Sequence, residues 1–530
     1  MKKIMARRVI GCYFIILVAM LLTMMRLINL AFDPKLKAAL NEASLRTVFV
    51  GLQRGTIYDC NMKPLTNNLK KYISVITDEK AALATLTAHI GETEAVKKLK
   101  ASKDGKIPVI YTDCEIKGEG LRCFSYYDTD NLTAKHLLGY TDDEGHGVSG
   151  LQKSLDGLLF TGSRFEIVFK TDGLGNIIRG EEIICNKLNG AEQSGVMLTI
   201  DREIQKIAED AASLLERGAV VVTEVATGEI KAMVSRPDFD INNIAEELNN
   251  ENSPLINRAI MTYNVGSGFK PCVAAAAIEA GLDNYLWYCE GACDIDGQRF
   301  VCHKSSGHRW LDMAGALKKS CNTFFYNLAI EVGADRVYRM AENAGFNNSA
   351  SFGYGFQTAR SDIGSKKWLE TSNRALANLA IGQGELMVSP VTILNLYCAI
   401  AGDGSYCPSS IIKAEIKGGE INTAVEENAR VRLMSKTTAK TLRKQLLGVL
   451  DEGGTGTIAK PKFTTAAGKT STAQTGMIKD GERVVNTWFC GFFPFDNPKY
   501  AVAVLSENSN EACGGVFAEI ADKITQKETR

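Results

Sequence analysis

Ser267 and Lys270 stand three positions apart in Val265-Gly-Ser-Gly-Phe-Lys-Pro271. On a helix that spacing puts both side chains on one face. A serine hydroxyl is a weak nucleophile at neutral pH and needs a base beside it. A lysine that is desolvated or crowded by another cation loses its proton more readily and can be that base. Ser-x-x-Lys alone recurs by chance, with a solvated serine and lysine as its ordinary meaning. Two further clusters give it company. Ser320-Cys-Asn322 offers a hydroxyl that can relay a proton and an amide that can hold a substrate amide. Gly468-Lys-Thr-Ser-Thr-Ala-Gln474 reads as a strand whose alternation sets Lys469 and Ser471 on one face and Thr470 and Thr472 on the other. Lys469 would depress the pKa of Lys270 and attract a carboxylate. Such a set would suit acyl transfer through a serine ester, chemistry that calls for no metal or organic cofactor. The five histidines are His89, His136, His146, His303 and His308, and no Gly-x-Ser-x-Gly surrounds Ser267, so a lysine base is favoured over a Ser-His-Asp arrangement.

The elements that must carry these groups are legible from pattern. Pro271 suits a first helical turn, and the run to Ala280 continues it, so amides near Ser267 can face an oxyanion. Further helices are predicted over Ala314 to Val332, Thr371 to Ile381 and Ser389 to Ala401. Val196 to Ile200 reads as a strand, and Asp201 caps a helix running through Leu215. Gly218 to Glu224 and Ile230 to Ser235 read as strands joined by a turn. Thr464 to Gly476 and Thr487 to Leu505 read as adjacent strands. Strands at both ends with helices between predict an α/β or α+β domain with an antiparallel sheet.

The three motifs, in this order, resemble the serine, Ser-x-Asn and Lys-Thr-Gly set of penicillin-binding proteins and serine β-lactamases. Met197-Leu-Thr-Ile-Asp-Arg-Glu-Ile-Gln205, Ala226-Thr-Gly-Glu-Ile-Lys-Ala-Met233, Ile381-Gly-Gln-Gly384 with Ser389-Pro390, and Trp488-Phe-Cys-Gly-Phe-Phe-Pro494 look like the transpeptidase domain of class B penicillin-binding proteins. Arg54-Gly-Thr-Ile-Tyr-Asp59 and Gly147-Val-Ser-Gly-Leu-Gln-Lys153 resemble that class's N-terminal domain. The resemblance implies an α+β fold: a serine β-lactamase/transpeptidase-like domain over 196–530, with its antiparallel sheet flanked by helices, and an N-terminal pedestal over 31–195. It implies Ser267 as the acylated nucleophile, Lys270 as its base, and Ser320 and Asn322 as the second wall of the site. Lys469 and Thr470 would bind the substrate carboxylate, and the amides of Ser267 and Thr472 would form the oxyanion hole. The implied substrates are peptidoglycan stem peptides, with β-lactams as covalent inhibitors and a separate membrane glycosyltransferase as partner. Alternatives of the same chemistry are a β-lactamase or a β-lactam-sensing receptor; a weakly catalytic scaffold is a third. Three positions depart from the family. Ser471 stands where relatives have glycine, where its side chain is expected to crowd the substrate or shift selectivity. Gly268 follows the nucleophile where threonine is common, and Gln152 replaces a common glutamate.

Residues 9–30 are almost wholly apolar, interrupted by Arg26 near the far end, and Lys2, Lys3, Arg7 and Arg8 precede them. About 20 apolar residues span a bilayer, and the basic flank predicts a cytoplasmic tail at 1–8 with the remainder outside. The absence of a small-residue cleavage site favours an anchor over a cleaved signal peptide. Lys+Arg and Asp+Glu each total 61, a balance that argues against nucleic-acid binding. Of the 14 cysteines, Cys114 and Cys123 could bridge a hairpin turning at Lys117 to Gly120. Cys289, Cys293, Cys302, His303 and His308 match zinc spacing only loosely. Plain packing is the favoured reading there, ahead of a Cys289–Cys302 disulfide, with a metal third.

Overall fold

The apolar N-terminal run forms one helix, α1 (Lys2–Phe32), with no buried residue along its length. At about 1.5 Å per residue it is long enough to cross a bilayer core, and it is the one such helix among the described residues. The computed structural model describes residues 2–105, 107–129, 133–178, 180–186, 194–422, 429–479, 481–509 and 513–529. They fall into two units, Met1–Gln53 with Leu69–Asp128 and Gly162–Asn189, and Arg54–Asn68 with Thr129–Thr161 and Gly190–Arg530.

Beyond α1, the first unit has two three-stranded sheets and a helix pair, Glu79–Ile90 and Glu92–Asp104. Alternation along Phe160–Lys170 buries Phe165, Ile167 and Phe169 with Val48, Ile73 and Val75. The sequence-based hairpin between Cys114 and Cys123 does not form. Cys123 lies in strand Leu121–Asp128, which pairs with Leu69–Ile76 and sets Cys123 opposite Ser74, and both thiols are free.

In the second unit, Thr56–Tyr58 runs parallel to Ser194–Leu198, which pairs antiparallel with Ile412–Lys417. Arg54-to-Asp59 is therefore built into the unit that carries the chemistry. Arg54 is nearly buried: Nη1 lies 2.7 Å from Asp156 Oδ1, and Nε donates to Gln152 Oε1 at 3.1 Å. Gln152 thus accepts from Arg54 without adding a charge.

The main elements follow as α2 (Arg202–Ala212), β1 (Gly218–Glu224), β2 (Ile230–Arg236), α3 (Lys270–Glu279), α4 (Asn322–Val332), α5 (Pro390–Ala401), β3 (Ala467–Lys479), β4 (Glu482–Phe493), β5 (Tyr500–Ser506) and α6 (Cys513–Glu528). The strands form one sheet in the order β2-β1-β5-β4-β3, antiparallel at every step. β5 is buried at every residue and β1 at all but its last. Consecutive strand residues point to opposite faces, so both faces are covered. Helix α5 packs on β1, β4 and β5, and α2 and α6 also lie against the sheet. Asp201 caps α2 by accepting from the amides of Glu203 and Ile204 at 2.9 and 3.0 Å. That helix ends at Ala212, short of Leu215.

The continuous helix expected over Ala314 to Val332 is broken. Met313–Lys318 ends, and α4 starts at Asn322. Between them Ser320 adopts φ +52°, a left-handed conformation unusual for a residue with a side chain.

Candidate active site

Ser267 lies in a short 3-10 turn, Gly266–Phe269, that runs directly into α3. The turn is held from several sides. The Gly266 amide donates to Gly382 O at 2.8 Å, Tyr397 Oη donates to Gly268 O at 3.0 Å, and Trp488 Nε1 donates to Asn264 O at 3.0 Å. A Cβ on Gly382, at φ +71°, would fall 2.0 Å from Gly266 O, which explains the glycine in Ile381-Gly-Gln-Gly384. Sequence reading had noted that stretch only as a likeness and had missed Tyr397 altogether. A buried tyrosine hydroxyl is a signal, but burial is not visible in sequence.

The helix break at Ser320 swings its hydroxyl to Ser267, with Ser320 Oγ 3.1 Å from Ser267 Oγ. Both lysines reach the same oxygen. Lys270 Nζ lies 3.2 Å and Lys469 Nζ 3.0 Å from Ser320 Oγ. Lys270 Nζ also donates to Ser320 O at 2.8 Å and Asn322 Oδ1 at 2.7 Å, and it stands 5.5 Å from the centre of the Phe325 ring. Lys469 Nζ also donates to Thr470 O at 2.9 Å. Both lysines are fully buried. Burial pushes Lys270 down from the usual lysine range to about 7. Burial, and then the neighbouring Lys270 charge, hold Lys469 well below an ordinary lysine.

Donor counting makes sense of this geometry. A neutral amine has two N–H donors and one lone pair, whereas an ammonium has three donors. Ser320 O and Asn322 Oδ1 take the two N–H groups of a neutral Lys270, which leaves its lone pair for the Ser320 hydroxyl. Ser320 Oγ can then accept from Lys469 and donate to the Lys270 lone pair while it lies within reach of Ser267. Ser320 Oγ thus stands in hydrogen-bond contact with Ser267 Oγ and with both lysine Nζ atoms.

Lys469, Thr470, Ser471 and Thr472 lie on β3, the edge strand of the sheet. Thr470 Oγ1 donates to Thr455 Oγ1 at 2.7 Å, a partner that sequence reading missed because Thr455 sits in an irregular Gly-rich stretch. Thr472 is exposed, opposite Thr487. Ser471 is buried, and its hydroxyl donates to Val265 O at 2.5 Å. Its side chain thus ties β3 to the turn that carries Ser267. Cys289 and Cys302 are both thiols, with no disulfide between them.

Residues 218–526 match the family model described as "Penicillin binding protein transpeptidase domain". The chain belongs to this family. Among curated relatives, PbpB of Mycolicibacterium smegmatis is 29% identical over 422 residues, covering 74% of this chain and 63% of PbpB. The peptidoglycan D,D-transpeptidase FtsI of Buchnera aphidicola is 26% identical over 556 residues, covering 97% of this chain and 93% of FtsI. A crystal structure titled as the D,D-transpeptidase domain of a peptidoglycan glycosyltransferase from Eggerthella lenta is 25% identical with TM-score 0.65, covering 91% of this chain and 99% of that one. Penicillin-binding protein 3 of Mycobacterium tuberculosis, solved with aztreonam, shares the fold at 23% identity and TM-score 0.66, covering 91% of this chain and 97% of that one. In this penicillin-binding family member, the apolar helix α1 fits a single-pass anchor.

Proposed function

We propose that this protein is a peptidoglycan D,D-transpeptidase that works through an acyl ester on Ser267. The observation that carries the reading is the convergence of Ser267, Lys270 and Lys469 on one hydroxyl, Ser320 Oγ. Ser267 Oγ attacks the carbonyl between the terminal D-alanines of a stem peptide. Its proton passes through Ser320 to neutral Lys270 and then to the departing D-alanine amine. The ester remains on Ser267 until an amino group of a second stem attacks it, gives up a proton along the same path and frees the serine. The substrate carboxylate keeps a proton on Lys469, assisted by Thr470, and so leaves Lys270 as the base. The amides of Ser267 and Thr472 face the oxyanion. As an edge strand, β3 can pair an extended peptide along its free side, with Asn322 holding a substrate amide from across the cleft.

The Lys2–Arg8 cluster supports a cytoplasmic tail and an extracytoplasmic catalytic unit. A separate membrane glycosyltransferase would supply nascent strands, and sharing a membrane plane raises the effective concentration of the two enzymes. Replacing residues 1–30 with an unrelated membrane helix tests the anchor's part in that contact. If wild type never co-purifies with a polymerase under mild detergent, the partnership fails.

The central test is labelling with a fluorescent penicillin followed by peptide mapping. A stable adduct on Ser267, absent from a folded Ser267→Ala variant, is expected. Undiminished labelling of that variant sinks the assignment, and rapid turnover of the β-lactam would make the protein a β-lactamase instead.

A further inference from the structure

Cys321 is the middle residue of the turn that presents Ser320 and Asn322. Its Sγ lies 3.9 Å from Cys302 Sγ, and Cys302 Sγ lies 3.6 Å from His308 Nδ1. Cys289 Sγ lies 3.7 Å from the same nitrogen. The four ligand atoms are all within 4.8 Å of one another, and all four residues are buried. Tetrahedral zinc, with Zn–S about 2.3 Å and Zn–N about 2.0 Å, sets S···S edges near 3.8 Å and S···N edges near 3.5 Å. The contacts above lie close to the edges of such a tetrahedron.

Thr323 Oγ1 lies 3.4 Å from Cys321 Sγ. Soft sulfur ligands with an imidazole select zinc over hard cations. The loosely matched spacing also has an explanation. Of the five residues that suggested a metal in sequence, Cys293 accepts instead from Asn327 Nδ2 at 3.5 Å, and His303 is exposed. The fourth ligand comes from Cys321, on a different element.

We propose that Cys289, Cys302, His308 and Cys321 bind one Zn²⁺ in a closed Cys₃His site that pins the Ser320–Asn322 turn beside the nucleophile. Three thiol protons leave to solvent as the ion enters, and four protein ligands leave no open position, so the metal is structural. It ties the short strands Trp287–Cys289 and Arg309–Leu311 to the start of α4. It also holds the residue next to Ser320, whose left-handed backbone needs support. The effect on acylation rests on the transpeptidase reading; the metal content does not.

The test uses full-length protein in detergent, purified under reducing conditions without chelator. Elemental analysis should find about one zinc per chain, and Cys302→Ser and His308→Ala should each lose most of it. Because either variant can misfold, wild type exchanged with Co²⁺ gives a second reading: the visible bands of tetrahedral thiolate coordination. Stripping the zinc should slow penicillin acylation by about 10-fold or more, on the scale seen for residues that support an active-site ligand, and added Zn²⁺ should restore it. Wild type that holds neither zinc nor Co²⁺, zinc retained in Cys302→Ser, or a disulfide within the set would each overturn the site. Bound zinc whose removal leaves acylation unchanged would overturn the pinning role.

Discussion

Ser320 Oγ is the point where Ser267 and both lysines meet, so the chemistry at residue scale depends on which groups carry protons. Lys270 is held at about 7 by burial, and only its neutral form has a lone pair. Acylation should therefore rise with pH up to about 7 and level off above it, falling about tenfold per pH unit on the acid side. A pre-steady-state penicillin-binding profile measures this, and a limb displaced to an ordinary lysine pKa would count against Lys270 as the base. Lys270→Ala should lose about 10²-fold or more in acylation rate, the usual scale for a general base. Ser471 has an anchoring position, since its hydroxyl serves the buried carbonyl of Val265. Ser471→Gly, although it restores the family residue, should lower thermal stability by about 1–3 kcal/mol, the scale of leaving one buried acceptor unmade. An unchanged melting temperature would show that water or a neighbour replaces the bond.

At the scale of elements, the site is set by how a turn, a helix break and an edge strand abut. Gly382 touches no reacting group, yet its backbone receives the Gly266 amide, and any side chain there would strike Gly266 O. Gly382→Ala should therefore slow acylation at Ser267 while leaving the proton inventory and the position of the pH limb unchanged. A shifted limb would mean that the lysine environment, and not the turn, had been disturbed. Pattern reading found most elements here: β1 coincides with the expected strand, and α3 and α5 differ from expectation by about a residue at their ends. It ran a single helix through Ala314 to Val332. Helix propensity is local and weak, and nothing in Leu317-Lys-Lys-Ser-Cys-Asn322 announces a left-handed residue. At the break, Ser320 meets Ser267 and Lys469, and Cys321 meets Cys302, none of them neighbours in sequence.

For the whole molecule, Arg54 and Asp156 pair two segments of the second unit that lie far apart in sequence, and the pair contributes to acid stability. Burial opposes ionisation of Asp156, but hydrogen bonds from His146, the Gly147 amide and Arg54 outweigh it and hold the carboxyl at about 2. A depressed carboxylate stabilises the fold above its unfolded value, near 4, and that contribution disappears as pH falls toward 2. Arg54→Ala should thus move the acid-unfolding midpoint of the second unit upward, as followed by tryptophan fluorescence. An unmoved midpoint would mean that His146 and the backbone suffice.

Motif chemistry, read with the family resemblance, grouped Ser267, Lys270, Ser320, Asn322 and Lys469 from sequence, and the structure brings these residues together. Hydroxyl, amide and amine are chemical types, and types are written in the chain. The apolar length of α1 and the alternation of the sheet strands were equally plain, because periodicity and hydrophobicity are local properties. Tertiary structure alone decided the rest. It set both lysines at full burial, where desolvation changes their protonation, and it brought Ser320 Oγ between Ser267 and Lys270. It turned Ser471 toward Val265, and it gathered Cys321 with Cys289, Cys302 and His308. Each of these depends on which distant segments come within a few ångströms of one another, and burial and contact belong to the packed chain as a whole.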